Sequence, residues 1–283
     1  MNVATKNFEA STQLLRKAAV IGVSATALLM LATTAHATSL VQNGSFSSNS
    51  GPCKMGALSG CATDWASTGY TFLYTSAATA QNPGTSGVEM WGPSSGGGGS
   101  ANGFTASPDG GAFLALDGDY EIGAVTQTIT GLTAGDTYAV SFYWAAAQQE
   151  GFNGATVQAM NVCLGTTAES YINTGGSQLS GGTNASSNLS CSGSGASTPI
   201  YDLANHAFSG WEYETVDLTA NSSTDVLSFL AYGNVQQPPF ALLDGVSMNL
   251  APTPEPGTLP LLFTGLMGGL GLLRSKKWLK TNR

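Results

Sequence analysis

The stretch TYAVSFYW (137–144) alternates: Tyr138, Val140, Phe142 and Trp144 fall on one side of an extended chain, Ala139, Ser141 and Tyr143 on the other. Successive side chains of a strand point to opposite faces, so large apolar residues at a period of two mark a strand lying on a core. Six more runs rich in Phe, Tyr, Trp, Leu and Val read as strands, with less regular alternation: AFLAL (112–116), AVTQTIT (124–130), TVQAMNVCL (156–164), WEYETVDL (211–218), DVLSFLAY (225–232) and FALLDGVSMNL (240–250). No helical period competes with them. The connector TGLTAGDT (130–137), with Gly131, Gly135 and Asp136, predicts a hairpin folding residues 124–130 back onto 137–144. Short strands parted by Gly-rich breaks predict an all-β chain, an antiparallel β-sandwich. Two stretches interrupt the rhythm, GPSSGGGGSANG (92–103) and residues 173–198, and both read as long flexible surface loops inserted into one sandwich.

The ends of the chain have a different chemistry. Arg16 and Lys17 precede an apolar run that closes on Ala35-His36-Ala37, the pattern of a secretory signal peptide over residues 1–37. At the other end the charge-free run 259–273 is followed by Arg274, Lys276, Lys277, Lys280 and Arg283, five of the nine basic residues. Such a run reaches about 22 Å against a hydrocarbon core of roughly 30 Å, so it predicts a short transmembrane helix that needs Gly257, Thr258 and snorkelling basic side chains. The basic tip belongs in the cytoplasm and the body outside. One β-sandwich domain is therefore expected over residues 38–250, followed by a tail over 251–283.

The order Pro254-Glu255-Pro256-Gly257, short Gly/Leu-rich helix, basic cluster resembles the PEP-CTERM sorting signal of Gram-negative bacteria. The resemblance covers about the last thirty residues and implies an exosortase as partner. It also implies transient inner-membrane anchoring, loss of the tail, and a final place at the cell surface or in the extracellular matrix. An ordinary stop-transfer anchor is the competing reading.

The body carries fifteen of the seventeen acidic residues and a single basic one, Lys54. Phosphate binding needs a basic face, so nucleic acid is excluded as a partner and an anionic lipid surface is disfavoured. Leu40-Val41-Gln42-Asn43-Gly44-Ser45-Phe46, Gly210-Trp211 and Leu242-Leu243-Asp244-Gly245-Val246-Ser247 resemble motifs of galactose-binding-like jelly rolls, β-sandwiches common among carbohydrate-binding modules. That family often gathers acidic ligands around a structural calcium at the two ends. Here Ser47 and Gly245 stand where acids are usual, leaving Asp244 alone, and no cofactor is expected.

Catalysis meets a shortage of parts. His206 is the body's one histidine and lies in LANHAFSGW, without a nucleophile elbow, so a structural role is expected and no catalytic residue is assigned. Asp117, Asp119 and Glu121 in LDGDYEIG share alternate spacing, which would place all three on one side of an extended segment to collect a cation or poise an acid; a solvated turn is the plainer reading. Glu212, Glu214 and Asp217 read as the wet face of a strand. Four cysteines in an exported chain imply two bridges, and spacing favours Cys53 with Cys61 and Cys163 with Cys191.

Sugars present C–H faces that stack on aromatic rings, while amides and carboxylates bond their hydroxyls. The candidates are Trp91 beside the glycine-rich loop, Tyr120 in the acidic turn and Phe152 in QQEGFNG, with Gln148, Gln149, Glu150 and Asn153 as hydroxyl partners. The competing reading is that these rings fill the sandwich edge; Trp144 and Trp211 are assigned to packing. The expected function is a structural or glycan-interacting component of exopolysaccharide or biofilm. The alternatives are a secreted hydrolase using paired carboxylates, and a surface adhesion or ice-binding protein.

Overall fold

The computed structural model describes residues 38–56, 61–96, 98–171, 179–180, 183–184, 189–233 and 238–252. The expected signal peptide (1–37) and, from residue 253 on, the expected sorting tail, with Pro254, Glu255, Pro256, Gly257 and the basic end, lie outside the described residues. Among the described residues no helix is long and apolar enough to cross a membrane.

Two antiparallel sheets form the body, with strands numbered in chain order. The first runs β1 (Cys53–Lys54), β3 (Thr71–Tyr74), β4 (Phe113–Asp117), β16 (Pro239–Leu250), β6 (Thr137–Gln148), β14 (Glu212–Thr219). The second runs β12 (Gly193–Ser197), β7 (Thr156–Gly165), β15 (Thr224–Gly233), β5 (Val125–Thr130), β2 (Ala66–Ser67), with β13 (Tyr201–Leu203) also on β7. Two small ladders pair β8 (Ser170–Tyr171) with β11 (Leu189–Ser190) and β9 (Leu179–Ser180) with β10 (Thr183–Asn184). A five-residue helix, α1 (Ala77–Gln81), is capped by Ser76.

The alternation of 137–144 has its expected consequence. Tyr138, Val140, Phe142 and Trp144 join Leu114, Leu116, Leu243 and Met248 in the core, opposite Val125, Met160, Val162, Leu164, Leu227 and Phe229 of the second sheet. Phe142 and Phe229 meet edge-on at 5.2 Å, and Trp144 is fully buried against Tyr201 at 4.9 Å. The other side of the first sheet is covered as well: Phe72, Tyr74, Met90, Phe104, Phe113 and Phe240 form a second cluster, with Trp211 packed on Phe113. Burial on both faces explains why FLAL (113–116) is continuously apolar where 137–144 alternates.

The structure corrects three sequence readings of strands and loops. β5 and β6 are not a hairpin; they lie in different sheets. The connector between them crosses the sandwich, with buried Leu132 as a plug and its backbone bonded to the turn after β14 (Leu132 N–H to Ser223 O, Gly135 N–H to Ala220 O). Residues 173–198 are not all loop, because 193–197 pairs with β7 as an edge strand. Residues 92–103 form no strand but are tied down. Ser95 and Ser100 amides donate to Gly92 O, and Asn102 Nδ2 donates to Trp91 O and His206 O.

Both disulfides join the cysteines that spacing paired, Cys53 with Cys61 and Cys163 with Cys191. The two jelly-roll-like segments also meet. Val246 N–H donates to Gly44 O and Leu40 N–H to Met248 O, while Asn43 Nδ2 donates to Ser48 O and Thr63 O.

Candidate functional site

Where β4 ends, Asp117 turns the chain. Its Oδ1 accepts from the amides of Asp119 (2.6 Å) and Tyr120 (2.8 Å), an Asx-type turn. The turn is clamped to its neighbours by Gly118 N–H to Pro239 O and Gly233 N–H to Gly118 O. Tyr120 at its tip is 73% exposed. Tyr70 is locked beside it, since its amide donates to Glu121 O and its carbonyl accepts from Asp117 N–H. The Tyr70 and Tyr120 rings meet edge-on at 5.6 Å.

The opposite wall is the loop after β6. Met90 bridges Gln149, the Gln149 amide donates to Pro238 O, and the Glu150 amide donates to Glu89 O. Phe152, 42% exposed, is held from below: Trp91 Nε1 donates to Phe152 O at 3.1 Å, and Trp91 stacks on His206 at 3.8 Å. His206 Nε2 and Asn153 Oδ1 share a hydrogen bond of 2.9 Å. Gln148 anchors this assembly, accepting from His206 N–H and donating to Thr156 Oγ1 and Ala204 O.

Between the walls lies a cleft of about 280 Å³. Tyr70, Tyr120 and Phe152 supply rings, Asp117, Asp119 and Gln149 supply polar groups, and Pro238 completes the lining. Burial pushes the Asp117 carboxyl up to about 6; the charges of Asp119 and Glu121 add to this, and the two turn amides oppose it.

Two groups that the sequence kept apart, the acidic turn and QQEGFNG, thus converge. Tyr120, Phe152, Gln149, Asp117 and Asp119 line one cleft, whereas other expected members do not. Trp91 and Gln148 are buried (6% and 4% exposed), because the stack on His206 and the bonds to loop backbone hold them beneath the cleft. Glu150 and Asn153 sit on the loop outside the lining. Alternate spacing does not put Asp117, Asp119 and Glu121 on one side, since Asp117 is buried and spent on turn amides. Glu121 pairs instead with Lys54 at 3.3 Å.

Glu212 and Glu214 share the face of Leu218 at the sandwich edge, with Asp217 opposite, so they do not form one wet face. Asp244 is buried away from the acidic turn, where its carboxyl accepts from Gly245 N–H and burial raises it to about 7, with Asp109 adding. Among the described residues no group of three or more His, Cys, Asp or Glu is placed to hold a metal ion. Tyr70 and Pro238 were missed. The alternation Tyr70, Phe72, Tyr74 carried the signal for Tyr70.

No family model matches the sequence, and no curated protein does. Among solved structures, TmCBM61 in complex with β-1,4-galactotriose matches at 10% identity and a TM-score of 0.35, over 75% of this chain and 98% of that one. A structure described as CBM4 matches at 16% and 0.35, over 74% and 99%. The K3 cleaved adhesin domain of Lys-gingipain from Porphyromonas gingivalis matches at 14% and 0.35, over 66% and 92%.

Proposed function

We propose that this chain is an exported, non-catalytic, jelly-roll-type sandwich that binds glycan in the cleft between Tyr70, Tyr120 and Phe152. One observation carries the reading: three aromatic rings from separate segments converge on a cleft with an amide and two carboxylates at its wall. Rings take the C–H faces of a sugar and the polar groups take its hydroxyls, the usual division of labour in a small-molecule site. Asp117 serves the turn rather than acid catalysis, since its carboxylate already accepts two backbone bonds. Both disulfides suit an oxidising compartment. The address comes from the ends: a signal peptide at 1–37, then exosortase sorting through Pro254, Glu255, Pro256 and Gly257 to the surface or polysaccharide matrix.

The mature protein is titrated against a panel of neutral, acidic and amine-bearing polysaccharides. Tyr120→Ala and Phe152→Ala are each expected to weaken binding about three- to tenfold, the size of one stacking contact. Absence of binding across the whole panel sinks the glycan reading. For the address, Glu255→Ala is expected to leave unprocessed protein in the inner membrane, and normal tail loss by that variant would overturn the sorting role.

A further inference from the structure

Residues 166–171, which leave β7, and residues 189–192, which lead into β12, make a short surface arm. Its two sides are joined by the β8–β11 pairing, by Thr167 N–H donating to Ser192 Oγ at 2.9 Å, and at the base by the Cys163–Cys191 bridge. Thr166, Thr167, Ala168 and Ser170 are exposed, whereas Glu169 between them is 2% exposed, so among its neighbours its side chain alone enters the protein. There it meets a polar floor. Asn161 of β7 donates from Nδ2 to Glu169 Oε1, Ser197 of β12 donates to Asn161 Oδ1 at 2.9 Å, and the Glu169 amide donates to Ser228 Oγ of β15 at 3.1 Å. Asn161 and Ser228 alternate with the core residues Met160, Val162, Leu227 and Phe229, which places them on the outer face of the second sheet. Leu189, on the other side of the arm, packs against the cluster of Ala159 and Leu230 on that same face.

This carboxyl has no counter-charge. Glu169 Oε2 is buried without a hydrogen-bond partner, and the groups that face the side chain carry no charge: Asn161 from β7, Ser228 from β15 and, behind Asn161, Ser197 from β12. Between Glu150 and Asp202 the chain has no other Asp or Glu and no Lys, Arg or His, so the arm brings no charge of its own to offset it. A neutral carboxylic acid is tolerated in such a place. A carboxylate there holds a charged oxygen away from both water and donors, so it is favoured outside. We propose that Glu169 is a pH-sensitive latch: uncharged, it holds the arm on the outer face of the second sheet, and on ionising it lets the arm go. Release takes Leu189 off its cluster, baring apolar surface on the sheet at neutral pH that is covered in acid. Burial pushes the docked carboxyl up to about 7, against the pull of the Asn161 amide. A released carboxyl titrates near about 4.3, so docking is strongest below that pH and is lost as pH rises through about 7.

Hydrogen exchange of the mature protein, followed by NMR from pH 5 to pH 8, reads the latch at two groups that docking protects, the Glu169 amide and the Asn161 side-chain amide. Their protection, relative to the unprotected rate at each pH, is expected to fall about fortyfold between pH 5 and pH 7 and only about twofold more by pH 8, as one proton titrating between those two values requires. The β15 amides should stay better protected than both groups throughout, because the arm opens without the sheet. Glu169→Gln keeps an acceptor for Asn161 Nδ2 and cannot ionise, so protection at the same positions should change less than about threefold over the whole range. A flat wild-type profile from pH 5 to pH 7 overturns the latch. The wild-type slope in Glu169→Gln overturns it too, because the slope then belongs to another group. Exchange in step with β15 does the same, since only unfolding of the sheet would then free the arm.

Discussion

Single atoms decide much of this molecule, and Gly44 is the sharpest case. A Cβ built there would stand 1.9 Å from Val246 O and 2.9 Å from Val246 C, both backbone atoms of a paired strand. No side chain rotation relieves that clash. Gly44→Ala is therefore expected to lower unfolding free energy by about 3 kcal/mol, the upper end of what overpacking a closed interior usually costs, as read by denaturant titration. Gly131 makes the contrast. Its φ is +80° and a Cβ would meet nothing within 4 Å, so Gly131→Ala carries only left-handed backbone strain, about 1–2 kcal/mol. If the two variants cost the same, steric exclusion at Gly44 is not what holds the first motif against the last. The sequence marked Gly44 as part of a motif, but the clash depends on a strand some two hundred residues away, which no local pattern records.

Among elements, a period of two states which face of a strand is buried and says nothing of its partner. That is why 137–144 was legible as a core strand while its pairing was not. Residues 125–130 alternate too, and a Gly-containing connector fits a hairpin, yet Leu132 finds its place between the sheets and the pairing goes to β15. The same limit hid part of the cleft: the acidic turn and QQEGFNG were each legible as polar-aromatic loops, but strand order brought them together. Strand β12 escaped notice because GSGAS has no apolar face to show, and it is an edge strand held by backbone pairing and by the Cys163–Cys191 bridge. That bridge closes a separation of 28 residues, and chain-entropy reasoning assigns it about 3.6 kcal/mol. Replacing both cysteines with Ala should cost about that much. It should also strip hydrogen-exchange protection from β12 before β15, since β12 lies at the edge and β15 lies between two partners. Simultaneous loss in both strands would show that the bridge supports the whole sheet rather than its edge.

At the scale of the whole molecule the governing fact is acidity, and three buried carboxyls turn it into a pH dependence of stability. Burial is the foremost cause in each: Asp117 is raised to about 6, and Glu169 and Asp244 to about 7. Asp119 and Glu121 add to the rise at Asp117, Asp109 adds at Asp244, and the Asn161 amide opposes it at Glu169. In the unfolded chain these groups release their protons near pH 4, so between about 4 and 7 the folded state holds more protons. Stability from this source is complete below about pH 4 and lost as pH rises through 6 to 7. The melting temperature is therefore expected to fall from pH 5 to pH 8, and a rise over that interval would contradict the burial argument. Surface repulsion among the other acids acts in the same direction, but salt separates the two causes. Screening relieves charges facing solvent and leaves a desolvated carboxyl nearly untouched. Glu169→Gln retains an oxygen for the Asn161 Nδ2 bond and removes the ionisation. It should flatten the slope at high salt, where surface repulsion no longer contributes, and a slope unchanged there would mean that Glu169 ionises without cost in the fold.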